Sequence, residues 1–233
     1  MKKYTKIGTL FNRDTEGTKK LIPWDYENPA VEFLAKNQWI CTEKIDGTNI
    51  GIVWDGYNIS FQGRTENANI PKHLLAYLED KFLNDETEQL FEQKFGEKNV
   101  ILFGEGYGPK ILKGHLYRED VSFILFDVYM TDSDLWLKRD AVEDIGKVFD
   151  IDVVPIILTG TLYKAIEYVI NSPKSTIGTA PMEGLVCKPT IDLLDRCGKR
   201  IIVKVKVKDL VPIKDDLINV CQMYNNSFCT DKT

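Results

Sequence analysis

Short apolar-rich runs at residues 39–44, 50–54 and 59–61 predict successive strands, with Asp55-Gly56 supplying a tight hairpin turn between the second and third. Between residues 71 and 95 the apolar positions Leu74, Leu75, Leu78, Phe82, Leu90 and Phe91 fall at helical spacing. They predict a helix or a pair of helices, and Pro71 suits a first turn. Strands are expected again at 100–103 and 123–129. A helix over 134–149 follows through Ala141, Val142, Ile145 and Val148, then a strand over 151–158. A short helix at 162–170 stops ahead of Asn171-Ser172-Pro173, and 173–181, rich in Ser, Thr, Gly and Pro, reads as a surface loop. Residues 185–188 and 200–207 predict two strands around a polar turn at 192–198, with Val and Ile alternating against Lys in the second. Strands predominate and helices interrupt them irregularly. The expected class is therefore α+β, with mixed or antiparallel sheets flanked by helices, and not a doubly wound fold.

The chain has 233 residues, 43% of them hydrophobic, enough for a substantial core in one large domain or two small ones. No apolar stretch approaches the roughly 20 residues needed to cross a bilayer, and the start Met1-Lys2-Lys3-Tyr4-Thr5-Lys6 precedes no apolar signal core. The reading is a cytoplasmic protein with no membrane association. Five cysteines, at 41, 187, 197, 221 and 229, form no Cys-x-x-Cys pair and are odd in number, which points to reduced thiols. A net charge of −5 argues against a surface coated in nonspecific nucleic-acid affinity, so a nucleic-acid partner needs a local basic face. Lys199, Arg200, Lys204, Lys206 and Lys208, with Lys110 and Lys113, are the lysines and arginines that could form one.

Lys44-Ile45-Asp46-Gly47-Thr48-Asn49 breaks an apolar run with an amine, a carboxylate, a glycine and two small polar residues. An ordinary turn could read this way too. Downstream come Arg64 in Gln62-Gly63-Arg64-Thr65, Phe103-Gly104-Glu105-Gly106, Phe123-Ile124-Leu125-Phe126-Asp127-Val128, Glu183-Gly184-Leu185-Val186-Cys187-Lys188 and Val203-Lys204-Val205-Lys206. Glycine next to Glu105 and Glu183 leaves each carboxylate free of a bulky neighbour, at what reads as a strand end. His73 and His115 have no serine or cysteine arrangement that would make either a triad base.

In content and order this series resembles the nucleotide-binding motifs of the covalent nucleotidyltransferases, the superfamily of polynucleotide ligases and messenger-RNA capping enzymes. Within it the chain looks most like the ATP-dependent RNA ligases, and the resemblance spans about residues 44–206. It implies the nucleotidyltransferase (ligase adenylation domain) fold, ATP with Mg²⁺ or Mn²⁺, and a lysine that carries AMP. Lys44 would attack the α-phosphorus of ATP and expel pyrophosphate. An unperturbed lysine is almost wholly protonated at neutral pH, so the site must favour the free amine by desolvation or nearby cations, for which Lys204, Lys206 and the metal are available. The same cations would spread charge on the pentavalent phosphorus.

By the same resemblance Glu183 binds metal and Glu105 contacts the ribose hydroxyls, sharing in metal binding. Phe126 stacks on adenine with Asp127 beside it, and Glu43 helps read the adenine edge. Arg64 serves near the ribose and the reacting ends, and Lys188 contacts phosphate. Asp46 and Asn49 belong with the nucleophile motif, whose Thr48-Asn49 extension favours RNA ligases over DNA ligases. The loop Gly106-Tyr107-Gly108-Pro109-Lys110, with Lys113, is expected to help hold nucleic-acid ends.

The expectation is one nucleotidyltransferase domain over 1–233, monomeric, with no C-terminal oligonucleotide-binding or helical accessory domain, so that a separate accessory protein could be needed for sealing. The segment before Lys44 is too short for the domain with which NAD-dependent ligases bind their cofactor, which leaves ATP. The substrate implied is a nucleic acid with 5′-phosphate and 3′-hydroxyl ends, RNA preferred. A minimal ATP-dependent DNA ligase and a nucleotide-dependent end-binding module without turnover are the alternatives.

Overall fold

The computed structural model describes residues 2–65, 69–112 and 114–227; Lys113 and Cys229, named above, lie outside them. The chain divides into a terminal unit, Lys6–Lys44 with Pro155–Thr233, and a central unit, Met1–Thr5 with Ile45–Val154. The chain leaves the terminal unit at Lys44, the first residue of the Lys44-Ile45-Asp46-Gly47-Thr48-Asn49 motif, and re-enters it at Pro155.

The terminal unit begins with β1 (Gly8–Thr9), β2 (Phe11–Arg13), β3 (Leu21–Tyr26), α1 (Pro29–Leu34) and β4 (Trp39–Glu43). Asn28 starts α1 by accepting the Ala30 amide at 2.9 Å, with proline at the first helical position where no amide is needed. The central unit then builds β5 (Thr48–Trp54), β6 (Ile59–Gly63), α2 (Lys72–Phe82), α3 (Asp85–Phe95), β7 (Val100–Tyr107), β8 (Ser122–Met130), β9 (Leu135–Trp136), α4 (Arg139–Val148) and β10 (Asp152–Val153). Its sheet runs β10-β8-β7-β5-β6, with β9 paired to β8; β10 joins β8 in parallel and the other pairs are antiparallel. On one face Ile50, Ile52, Leu102, Phe123 and Leu125 form a core with Leu74, Leu78 and Phe82 of α2 and Phe91 of α3. The other face carries Phe103 and Tyr129 with Tyr4, Phe126 and Trp136.

Back in the terminal unit come β11 (Ile156–Gly160), α5 (Leu162–Ile170), β12 (Gly184–Pro189), β13 (Val203–Lys206), α6 (Val207–Leu210) and α7 (Lys214–Ser227). The sheet order is β1-β13-β12-β4-β11, parallel at β1–β13 and antiparallel elsewhere. Trp39, Cys41, Leu185, Cys187, Val203 and Val205 share a core with Leu162, Ala165, Ile166 and Val169 of α5 and Leu217 and Cys221 of α7. Period-two alternation sends the intervening Thr42, Lys44, Val186, Lys188, Lys204 and Lys206 to the opposite, half-buried face. The mixed α+β class matches expectation.

Several boundaries differ from the sequence reading for physical reasons. Asn84, whose side chain accepts the Thr87 amide at 2.9 Å, caps a new helix and divides 71–95 into α2 and α3. The helix expected over 134–149 begins only at Arg139, because Leu135–Trp136 pairs with Tyr129 and Met130 as β9. The strand expected over 151–158 is two strands, β10 and β11, separated by Val154 and Pro155 and belonging to different units. Strand β7 continues through Gly104, Glu105 and Gly106, so Glu105 lies within the strand and not at its end. Four of the cysteines, Cys41, Cys187, Cys197 and Cys221, are free thiols. No helix among the described residues is long and apolar enough to cross a membrane.

Candidate active site

In the terminal unit the motif lysines converge on one carboxylate. Lys44 Nζ donates to Glu183 Oε2 at 2.6 Å and Lys206 Nζ donates to Glu183 Oε1 at 2.5 Å. The backbone makes this register unavoidable. The Lys44 amide donates to the Gly184 carbonyl at 2.9 Å, and the Val207 amide donates to the Glu183 carbonyl at 3.0 Å, so Glu183 is held between β4 and β13. Burial alone would push the Glu183 carboxyl upward, but the charges and hydrogen bonds of Lys44 and Lys206 prevail and hold it below the ordinary glutamate value.

Lys204 lies two residues before Lys206 on the same face of β13 and donates to the Ile7 carbonyl at 2.9 Å. Burial lowers its pKa first, and the neighbouring charges of Lys206, Lys44 and Lys6 lower it further. Lys44 and Lys206 on Glu183, with Lys204 close enough to feel the charges of both as well as those of Lys6 and Glu27, gather an excess of positive charge suited to an oligophosphate. Lys188 sits on this face of β12, half-buried.

Glu43 points to the other side of β4 and is 1% exposed. Its Oε2 accepts the Thr176 hydroxyl at 2.6 Å and the Thr176 amide at 3.0 Å, whereas Oε1 is buried with no hydrogen-bond partner. A buried acceptor in that state costs about 1–3 kcal/mol until a donor reaches it.

In the central unit a second group of motif residues lines up. Asn49 on β5 stands opposite Glu105 on β7, which in turn stands opposite Ile124 on β8. Gly63 is paired with Ile50, so Arg64, exposed and one residue further, lies at the level of Asn49. Gly47 passes so close to the Gly106 carbonyl and the Glu105 side chain that a Cβ there would overlap both. The Asp46 amide donates to the Tyr117 hydroxyl at 3.2 Å.

A bulge separates Phe126 from the ladder, since Phe103 pairs with Asp127 and Gly104 with Leu125. Such an extra residue turns consecutive side chains toward one face. Tyr4 meets both of them: its ring lies edge-on to Phe126 with centroids 4.9 Å apart, and its hydroxyl donates to Asp127 Oδ2 at 2.7 Å. Asp127 is 1% exposed and Phe126 is half-buried.

The model of the RNA ligase family matches residues 37–206. The chain belongs to the RNA ligase family. The matched span contains every motif residue just described, and solved structures share the fold. An apo mutant of Naegleria gruberi RNA ligase has a TM-score of 0.60 at 21% identity, over 80% of this chain and 54% of that one. Another mutant of the same enzyme, with ATP and Mn, has a TM-score of 0.61 at 19% identity over 92% and 63%. The same ligase with PPi has 0.60 at 21% over 91% and 64%. The chain thus spans 54–64% of the length of these structures. A search of curated proteins found no match.

In the terminal unit the structure brings Lys44 and Lys206 together on Glu183, with Lys204 on the same face of β13. Thr176, Tyr4 and Tyr117 touch motif residues and were not singled out by sequence. Thr176 belongs to a segment that reads as a surface loop, and nothing local marks Tyr4 or Tyr117 for these contacts. The usable signal was slight: the 173–181 loop runs directly into Glu183.

Proposed function

We propose that this chain is an ATP-dependent RNA ligase that works through a lysyl-AMP intermediate and serves RNA repair. The observation that carries the reading is the fork of Lys44 and Lys206 on Glu183, with Lys204 beside it. The Lys44 amine attacks the α-phosphorus of ATP, a P–N bond forms as the bond to pyrophosphate breaks, and the amine proton is released. A 5′-phosphate oxygen then takes the adenylyl group from Lys44. Finally the 3′-hydroxyl attacks the activated phosphate, AMP leaves and the strand is joined.

Lys204 and Lys206 stabilise charge on the phosphates in the first step, with Lys188 as a further phosphate contact. Glu43 offers its unpaired Oε1 to the adenine amino group, which donates where the guanine oxygen at the same position would repel. That supports ATP as the nucleotide. Phe126 stacks on the base with Asp127 as polar partner, Glu105 binds the ribose hydroxyls, and Arg64 and Asn49 serve the ribose and the reacting ends. Asp46 acts beside the nucleophile.

Among the described residues no three His, Cys, Asp or Glu side chains are placed to hold a metal. A Mg²⁺ or Mn²⁺ ion carried largely by substrate phosphates and water needs only one or two carboxylates; the hard oxygens of Glu183, which hold Lys44 and Lys206 in the nucleotide-free chain, would serve once a lysine turns to the phosphates, with Glu105 as the second assigned carboxylate. The ion would add positive charge at the phosphates. The proposal further takes the chain as a cytoplasmic, monomeric nucleotidyltransferase domain, with an accessory protein supplying any further grip on the ends.

Incubating the protein with ATP, Mg²⁺ and nicked duplexes ending in 3′-ribose or 3′-deoxyribose tests the reading. Sealing of the ribose end in preference, lost in Lys44→Ala, is the expected result. Equal or better sealing of the deoxyribose end would assign it to DNA.

A further inference from the structure

Glu43 is a buried carboxylate whose two oxygens are unlike. One accepts two hydrogen bonds from a single residue, Thr176, and the other has none. A glutamate carboxyl otherwise turns about its last torsion with little preference, so equivalent oxygens would exchange places. The amide and hydroxyl of Thr176 together remove that freedom: they hold Oε2 and leave Oε1 as the fixed acceptor.

Thr176 is itself held. The Ser175 amide donates to the Ala180 carbonyl at 2.9 Å, the Ile177 amide to Ser175 Oγ at 3.1 Å and the Met182 amide to the Pro173 carbonyl at 3.0 Å. Lys174 and Pro181 form a bridge across the loop. Ser175, Ala180 and Met182 are buried, so the 173–181 loop is an anchored element.

From this geometry we infer that Thr176 is a positioning residue for nucleotide selection, orienting Glu43 so that Oε1 accepts a hydrogen bond from the exocyclic amine of adenine. The inference rests on the nucleotide reading above and adds to it a residue 133 positions from Glu43 in sequence. Thr176 touches no reacting atom. It acts by fixing which carboxylate oxygen faces the base, and a site built around a buried acceptor rejects a base that lacks the matching donor.

The test compares equilibrium binding of ATP with that of purine riboside triphosphate, which lacks the 6-amino group, and of inosine triphosphate, which carries an acceptor there. Wild type should favour ATP over purine riboside triphosphate by about 10-fold or more, the worth of one hydrogen bond to a charged group. Thr176→Val should shrink that ratio to within about threefold, chiefly through weaker ATP binding, and Thr176→Ser should restore it. A merely structural role would weaken both nucleotides equally, and an unchanged ratio in a folded Thr176→Val protein overturns the inference. So does a wild type that does not distinguish the two. If Thr176→Val fails to fold, Thr176→Ala takes its place under the same criteria. Should binding follow the expected pattern while Lys44 takes no AMP, the ligase reading fails and the role of Thr176 stands.

Discussion

The Lys44 amide donates to the carbonyl of Gly184 across 2.9 Å, tying the backbone of the proposed nucleophile to the residue that follows its carboxylate partner. The side-chain pair Lys44–Glu183 is therefore set by a main-chain bond as well as by charge. Gly184 has φ of +152°, and a Cβ on it would run into the Val205 carbonyl on β13. Gly184→Ala should destabilise the fold by about 1–3 kcal/mol, as an overpacked substitution does, and reduce adenylylation even where the protein remains folded. Denaturant unfolding together with nucleotide labelling checks both parts.

Glu183→Gln leaves Lys44 and Lys206 without their shared charge. At pH 7 the loss should be about 1.5–3 kcal/mol, the range for hydrogen bonds to a charged group, and labelling should fall about 100-fold or more. The sign of the pH effect follows from the lowered carboxyl of Glu183. A depressed folded-state value contributes stability above the ordinary glutamate range, lost as pH falls through it toward the depressed value. Wild type and Glu183→Gln should thus converge in stability on acidification below about pH 4. Parallel unfolding curves over that interval would contradict this.

Lys204 behaves in the opposite sense. Its pKa is lowered by burial and by neighbouring lysines, so its charge opposes folding at neutral pH, and the cost vanishes only as pH rises past the ordinary lysine range. Lys204→Met should raise the unfolding temperature of the nucleotide-free protein by about 1–3 °C while lowering adenylylation.

Tyr4→Phe keeps the ring that packs on Phe126 and removes the hydroxyl that donates to Asp127. The expected loss is about 1–3 kcal/mol in unfolding free energy, because the carboxylate is buried. ATP affinity should fall as well if Asp127 is the polar partner of the base. Thermal unfolding and nucleotide titration of the variant measure these separately.

How far the sequence spoke depends on the range of the interactions. The helix at 162–170 is Leu162–Ile170 in the structure, since an apolar stripe and a Thr161 cap are local signals. The strand containing Phe126 and Asp127 was equally clear, but the bulge that turns both residues to one face is a property of its pairing with β7. Pro155 looked like part of one strand because nothing local shows that its two sides serve different sheets. Helix α7 is absent from the sequence expectations although Leu217, Ile218, Val220, Cys221 and Tyr224 fall at helical spacing and pack on the core. The motif residues Lys44, Glu183, Lys204 and Lys206 stand out in the sequence through the order of the motifs, since taken singly a lysine alternation or a glycine-flanked glutamate reads as solvated surface. Thr176 does not, because one threonine in a polar loop looks the same with or without a glutamate 133 residues away.

The most direct measurement of the central claim is incubation with α-labelled ATP and Mg²⁺, wild type beside Lys44→Ala, followed by denaturing electrophoresis and acid treatment. Label that remains on the wild-type chain, is released by acid and is missing from Lys44→Ala is the predicted result, since a phosphoramidate is acid-labile and Lys44 is its proposed nitrogen. A wild-type chain that takes no label with any nucleotide or divalent metal, or a Lys44→Ala chain that labels as well as wild type, would contradict the account.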